Sequence, residues 1–333
     1  MANRNTNRTK NGKSKKTASA RPATRGKSGN PAKRPVEQLP PVTLGAWIGA
    51  ARPRTLPLAV APVLVGTGAA RLGDPQFHWV IALACLAVAV CLQIGVNFTN
   101  DYSDGVRGTD AHRVGPARLT ASGRVSAKSV LYTGLAFFAL AAIAGLGIVI
   151  RTQQWWMIAV GAVCIVAAWF YTGGKRPYGY NALGEVFVFV FFGLVATLGT
   201  TWVQSLKLPQ EAWIGAVAVG LFACAVLLAN NLRDIDQDRL VGKRTLTVVI
   251  GRRATQVLYT LFVILPFLGL VLLALFYPVA WVGLLALLAV LPALVIVWAY
   301  RKPMELVIAL ALTSLGTLLY AGALLWAFIT PAV

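Results

Sequence analysis

Apolar stretches follow one another from about residue 45 to the end of the chain, with polar residues gathered into the short segments between them. Nine stretches can be delimited, over approximately 45–70, 78–100, 127–150, 155–172, 183–204, 212–231, 254–276, 279–300 and 305–329. Each is near the ~20 residues that carry an α-helix across ~30 Å of hydrocarbon. The runs are continuous rather than alternating, which predicts helices and not a barrel, because lipid demands that backbone groups be satisfied within the element. Arg52, Pro53, Arg54 and Pro57 interrupt the first stretch. A broken or interfacial beginning is therefore expected there, before Leu58 to Ala70 crosses. The fold class predicted is all-α: an integral membrane bundle of nine transmembrane helices.

Composition agrees and adds a tail. Of 333 residues, 57% are hydrophobic and only 13% charged, too apolar for one water-soluble core. Met1 to Arg34 has no aromatic residue and is built from Lys, Arg, Ser, Thr, Asn, Gly and Ala, so it cannot bury a core. Residues 1–44 are expected to be a disordered basic cytoplasmic tail, and 45–330 the transmembrane domain. The net charge of +20 would suit nucleic acid or anionic lipid. With a chain this apolar, the lipid bilayer is the expected partner and nucleic acid is not.

Loop charges test the helix count, because cytoplasmic loops collect Lys and Arg. With the amino terminus inside, 28 of the 31 basic residues fall on the cytoplasmic side, leaving Arg71, Arg151 and Lys207 opposite. This predicts a cytoplasmic N-terminus and an external C-terminus. Cys85, Cys91, Cys164 and Cys224 lie inside apolar stretches without metal-ligand spacing and read as core. His78 and His112 are too few and too far apart for a histidine metal site.

The acids are distributed differently. Six of the 11 lie in two windows, Asp101, Asp104 and Asp110, then Asp234, Asp236 and Asp238, each where an apolar stretch ends on the cytoplasmic side. Asn97, Asp101 and Asp104 stand at i, i+4 and i+7, and Asn230, Asp234 and Asp238 at i, i+4 and i+8, each set on one helical face. Such a stripe at the edge of hydrocarbon is costly unless a cation occupies it. Oxygen ligands without Cys or His favour Mg²⁺, which keeps waters and completes its shell with substrate phosphates. The recurrence of the acids four helices later suggests an internal repeat of four helices plus a ninth. Arg118, Lys175 and Arg54 lie at the membrane edge, where a diphosphate could be clamped.

These segments resemble known motifs. N-F-T-N-D-Y-S-D-G-V-R-G-T-D (Asn97 to Asp110) and N-N-L-R-D-I-D-Q-D (Asn230 to Asp238) resemble the two aspartate-rich motifs of the UbiA superfamily of membrane prenyltransferases. Y-T-G-G-K (Tyr171 to Lys175) resembles its YxxxK element. With G-P-A-R-L-T-A-S-G (Gly115 to Gly123) and G-K-R-T-L-T-V-V-I-G (Gly242 to Gly251), the chain is most similar to the MenA-type branch. Gly108 stands where the common NDxxDxxxD form has its last aspartate, and Asp110 follows two residues later.

The resemblance implies Mg²⁺-dependent transfer of a polyprenyl group from polyprenyl diphosphate to 1,4-dihydroxy-2-naphthoate, with loss of CO₂, in a bacterial cell membrane. It implies Asp101, Asp104, Asp234, Asp238 and Asn100 at the metal, and Asn97 and Asn230 beside it. Arg54, Arg118 and Lys175, with Asn97 and Asn230, would hold the diphosphate; Tyr171 and Lys175 would be the catalytic residues, Tyr171 orienting the diphosphate or flanking the allylic cation. Phe187, Phe189, Phe191 and Phe192 could line the exit for the isoprenoid tail or face lipid. Other acceptors of the superfamily, 4-hydroxybenzoate and homogentisate among them, remain open, as does a secondary transporter with buried acids. A CDP-alcohol phosphotransferase pattern fails after Asp101, Asp104 and Gly105, since Gly108 and Thr109 stand where Ala and Arg are required.

Overall fold

The computed structural model describes residues 42–109 and 118–330. The expected tail lies outside the described residues as far as position 41, and so do Asp110 and His112. All described residues belong to one compact unit.

Among the described residues ten helices, besides the short 3₁₀ turns Pro53–Thr55 and Tyr178–Tyr180, follow in order: α1 (Leu44–Ala50), α2 (Pro57–Gly73), α3 (Trp79–Arg107), α4 (Ala127–Thr152), α5 (Met157–Phe170), α6 (Gly184–Ser205), α7 (Gln210–Leu240), α8 (Leu246–Ala274), α9 (Pro278–Ala299) and α10 (Glu305–Ile329). Among the described residues there is no strand beyond one isolated bridge, Asn181 to Arg244. Seven of these helices are long and apolar enough to cross a membrane. The segment Leu44–Thr55 with α2 makes an eighth, bent by 47°. The break expected from Arg52, Pro53 and Pro57 is thus present, and it turns on Arg52, which adopts the left-handed conformation (φ 55°) ahead of a short 3₁₀ turn, Pro53–Thr55. The fourth stretch, expected over 155–172, forms α5 of 14 residues, about 21 Å at 1.5 Å per residue, and falls short of a full crossing by itself.

Packing is uneven. In the apolar windows of α7 and α10, 72% and 61% of residues are buried, against 22% and 28% for α3 and α4. α7 is surrounded by α2, α6, α8 and α10 and forms the solid side of the bundle, with Phe222, Phe267 and Tyr320 packed edge to face. α3 packs chiefly along α4, and the two stand away from that core. Large apolar side chains such as Ile143, Val163, Leu268 and Leu288 cover the outside, as expected of a lipid-facing surface. Lys207 Nζ donates to Gly73 O at 3.0 Å, so two of the loops expected opposite the acids do share one end.

Length decides where the polar groups sit. α3 has 29 residues and α7 has 31, about 43 and 46 Å, so both overrun ~30 Å of hydrocarbon by two to three turns. Those last turns carry the asparagines and aspartates.

Candidate active site

α3 and α7 end alike. Each is stopped by a glycine in the left-handed region, Gly108 and Gly242, both at φ 73°, a conformation that costs a side-chain-bearing residue energy. In each case the next N–H reaches back five residues: Thr109 N to Asp104 O (3.1 Å) and Lys243 N to Asp238 O (2.8 Å). Counting back from this shared stop, Asp104 matches Asp238, Asn100 matches Asp234, and Asn97 matches Asn231.

The two ends border one cavity of about 620 Å³. Asn97, Asn100 and Asp104 line it from α3, and Asn230, Asn231 and Asp234 from α7, with Arg52, Arg118, Tyr171 and Lys243 at the same end. Toward the opposite end of the helices the lining becomes apolar and reaches Ile148, Met157 and Val203. Phe187, Phe191 and Phe192 are part of that wall, while Phe189 turns against Gly220. A π-helical segment, Phe189–Val195, resets the register within α6 and allows adjacent Phe191 and Phe192 both to border the cavity. Tyr171, Tyr178, Phe187 and Phe191 form a continuous aromatic series, with centroids 5.5, 4.0 and 6.1 Å apart.

The polar groups are individually held. Asn97 Nδ2 donates to Ala51 O at 2.9 Å, which binds α3 to the break before α2. Thr172 Oγ1 donates to Asn100 Oδ1 at 2.6 Å. Asp104 accepts from Arg118 Nη2 (3.3 Å) and from the Tyr180 hydroxyl (2.5 Å). Burial, reinforced by this carboxylate, pushes the Tyr180 phenol above its ordinary value, so the hydroxyl remains a donor. Asp234 accepts from Arg233 Nε and Nη2 at 2.8 and 2.6 Å, and Asp238 faces Lys243 Nζ at 3.8 Å. Asn231 Nδ2 donates to Glu185 Oε1 at 3.1 Å.

The geometry departs from the spacing at four predicted residues. Asp101 is buried but does not border the cavity: its two oxygens accept Leu119 N (2.9 Å) and Thr120 N (3.0 Å), anchoring the segment that carries Arg118. Asn100 takes the inward position instead. Asp238 lies behind Lys243 rather than in the cavity lining. Arg54 is exposed, and Arg52, two residues earlier, lines the cavity because its left-handed backbone turns it inward. Lys175 is also exposed and absent from the lining, whereas Tyr171 of the same element borders the cavity. Asn231, Tyr180 and Glu185 escaped the sequence reading. Asn231 adjoins Asn230 and could have been found by shifting the helical face by one residue; Tyr180 reaches the site from an irregular loop that has no periodic signal.

Among the described residues no three His, Cys, Asp or Glu side chains form a ready-made metal centre. The donor set nevertheless fits Mg²⁺, which is commonly bound by one or two carboxylates with waters and substrate phosphates rather than by an all-protein cage. Asp104 and Asp234, which line the cavity from the two helices, could supply those carboxylates, and the asparagines beside them neutral oxygens.

Residues 59–305 match the UbiA prenyltransferase family. The chain belongs to that family. It is 47% identical over 277 residues to the 1,4-dihydroxy-2-naphthoate octaprenyltransferase of Mycobacterium tuberculosis, covering 83% of this chain and 94% of the relative. Among solved structures, the fold resembles a UbiA homolog from Aeropyrum pernix (TM-score 0.60, 17% identity, 84% of this chain and 98% of the other). It also resembles a UbiA homolog from Archaeoglobus fulgidus bound to GPP and Mg²⁺ (TM-score 0.56, 14% identity, 84% and 99% covered). The protein is accordingly an integral membrane prenyltransferase.

Proposed function

We propose that the chain transfers a polyprenyl group from polyprenyl diphosphate to 1,4-dihydroxy-2-naphthoate, with loss of CO₂, giving demethylmenaquinol for menaquinone synthesis. The observation that carries the donor half of this reading is the cavity itself, polar and charged at one end and apolar along the rest. That is the profile of a lipid with a diphosphate head. The acceptor rests on the likeness to the Mycobacterium tuberculosis enzyme, which spans nearly the whole of that protein.

Asp104 and Asp234 would hold Mg²⁺ from opposite sides, with Asn97, Asn100, Asn230 and Asn231 offering oxygens to the metal or its waters. Mg²⁺ supplies positive charge that stabilises the departing diphosphate. Arg118, Arg52 and Lys243, all in the lining, share that negative charge. Tyr171, Tyr178, Phe187 and Phe191 present aromatic surface where the allylic carbon becomes cationic, an attraction of about 0.5–2 kcal/mol per ring. The apolar wall keeps water from that carbon. The naphthoate ring then attacks C1 of the prenyl group, the C1–O bond breaks to release diphosphate, and departure of the carboxylate as CO₂ restores the aromatic ring.

The membrane is read as a bacterial cell membrane with the polar end of the cavity, the N-terminus and the basic segment of residues 1–44 on the cytoplasmic side. Loop charge supports this arrangement. A transporter would place its acids near mid-depth, and here they occupy the last turns of two overlong helices. The deciding experiment supplies purified protein with a polyprenyl diphosphate, Mg²⁺ and a panel of acceptors. Diphosphate and CO₂ released only with the naphthoate are expected. Equal or better prenylation of 4-hydroxybenzoate would overturn the acceptor, and no diphosphate release with any acceptor would overturn the enzyme reading.

A further inference from the structure

Tyr180 lies outside the cavity lining yet touches both aspartate-bearing ends. Its hydroxyl donates to Asp104 Oδ1 at 2.5 Å, on the α3 side. Its ring supports Lys243 Nζ at 4.9 Å from the centroid, and that ammonium faces Asp238 at 3.8 Å, on the α7 side. Its carbonyl accepts Arg244 N at 3.1 Å, and the neighbouring Asn181 forms the bridge with Arg244, so the short turn Tyr178–Tyr180 is fastened to the loop after α7. On the other side, Arg107 lies 5.4 Å from the ring and donates to Thr172 O and Gly174 O, which fastens the end of α3 to the Tyr171–Lys175 segment. The Tyr180 side chain therefore links its own connection, between α5 and α6, to the end of α3 and to the loop after α7.

We infer that Tyr180 is a positioning residue that sets the orientation of the Asp104 carboxylate and the place of Lys243, and so registers the two halves of the diphosphate–metal site against each other. The inference rests on the metal reading above. Arg118 holds Asp104 Oδ2 from the cavity wall, and the phenol holds Oδ1 from behind the cavity, so the two together set the plane of the carboxylate. Groups that orient a metal ligand in this way typically change metal affinity by about 10–100-fold when removed. Lys243 has a flexible stem, and the aromatic face beneath it limits where its charge can rest.

The test uses the full chain in lipid nanodiscs, with Mg²⁺ titrated calorimetrically in the presence of inorganic diphosphate. The proteins compared are wild type, Tyr180→Phe, Tyr180→Leu and Asp104→Asn. Tyr180→Phe is expected to weaken Mg²⁺ binding about tenfold or more and to move the Mg²⁺ half-saturation of prenyl transfer by the same factor, with the metal-free melting temperature unchanged. Tyr180→Leu, which also removes the ring, should weaken it further. Mg²⁺ binding by Tyr180→Phe within about twofold of wild type, while Asp104→Asn loses binding, overturns this inference and leaves the metal assignment standing. Asp104→Asn that binds like wild type removes the metal assignment and this inference with it. Should Tyr180→Phe melt early, Tyr180→Trp decides, since it retains an N–H donor and an aromatic face. Recovery toward wild type supports the donor role, and binding as weak as in Tyr180→Leu overturns it.

Discussion

The last turns of α3 and α7 share a backbone stop and a polar stripe, but they differ in how the stripe is held. On α3, Asp104 takes its partners from other parts of the chain, Arg118 and Tyr180, and Asp101 is given over entirely to anchoring the 118–120 backbone. On α7, Asp234 is paired with the adjacent Arg233, and the exposed Asp236 bonds Arg252 of α8. The inward carboxylate of α7 is thus held by its own neighbour in the helix, on the densely packed side of the bundle. The α3 end is assembled from loops and stands on the open side. The two walls of the site are thus held differently, one from within its helix and the other by groups that reach it from distant segments. Charge differs too: at the matched inward position α7 carries Asp234 and α3 carries neutral Asn100.

The largest effect should come from the inward carboxylates. Asp104→Asn and Asp234→Asn are each expected to lower kcat by on the order of 10³ while the protein still inserts, because each removes a carboxylate proposed to hold the cation that neutralises the departing diphosphate. The matched positions allow a sharper comparison. If Asn100 and Asp234 border the same ion, Asn100→Asp should restore about tenfold of the activity lost in Asp234→Asn, measured in the double variant against the single one. A double variant no more active than Asp234→Asn would show that the shared stop does not make the two positions equivalent.

Next is the contrast between two neighbouring arginines. Arg52→Ala removes a cation from the cavity wall and should raise KM for the prenyl diphosphate about 10–100-fold, the worth of a charge-assisted contact. Arg54→Ala, at an exposed position, should change it by less than about twofold. Reversal of that order would mean that the left-handed turn at Arg52 does not present its side chain to the donor. Asp101→Asn comes third. It weakens two backbone hydrogen bonds that hold the Arg118 segment, so KM for the donor should rise several-fold while Mg²⁺ half-saturation stays where it is. A Mg²⁺ shift in Asp101→Asn comparable to that in Asp104→Asn would return Asp101 to the metal.

These contrasts also mark where sequence reasoning succeeds and where it stops. Continuous apolar runs, loop charge and clustered acids were enough to place the helices and to assign the acids to the ends of two of them. Which residues of a stripe face inward was a harder question. At 100° per residue, positions i+3 and i+4 lie on either side of the same face, so Asn97 and Asp104 are compatible with Asn100 or Asp101 between them. The choice is made by the loop at Leu119 and Thr120, whose N–H groups claim Asp101. Arg52 and Arg54 are likewise separated by one backbone conformation, φ 55° at Arg52, which no periodicity announces. Tyr180 depends on the closure of three loops, and only their packing brings it to Asp104.

The smallest effect concerns the stop itself. Gly108 and Gly242 adopt the same left-handed φ, and among the described residues a Cβ at either would meet no atom within 4 Å beyond its chain neighbours, so replacement by Ala tests conformation. Each Gly→Ala change should cost about 1 kcal/mol, seen as a lower melting temperature in the same lipid environment. Stability alone would be affected equally, but function should not be. Gly242 lies at the end of the helix that the core surrounds, and strain there can be absorbed without moving Asp234, eight residues back and paired with Arg233. Gly108 lies four residues from Asp104 and one from Thr109, whose hydroxyl and N–H both bond Asp104 O. Gly108→Ala should therefore raise the Mg²⁺ requirement several-fold at a stability cost that Gly242→Ala matches without that rise. Equal Mg²⁺ dependence in the two variants would indicate that the α3 end is as firmly set as the α7 end.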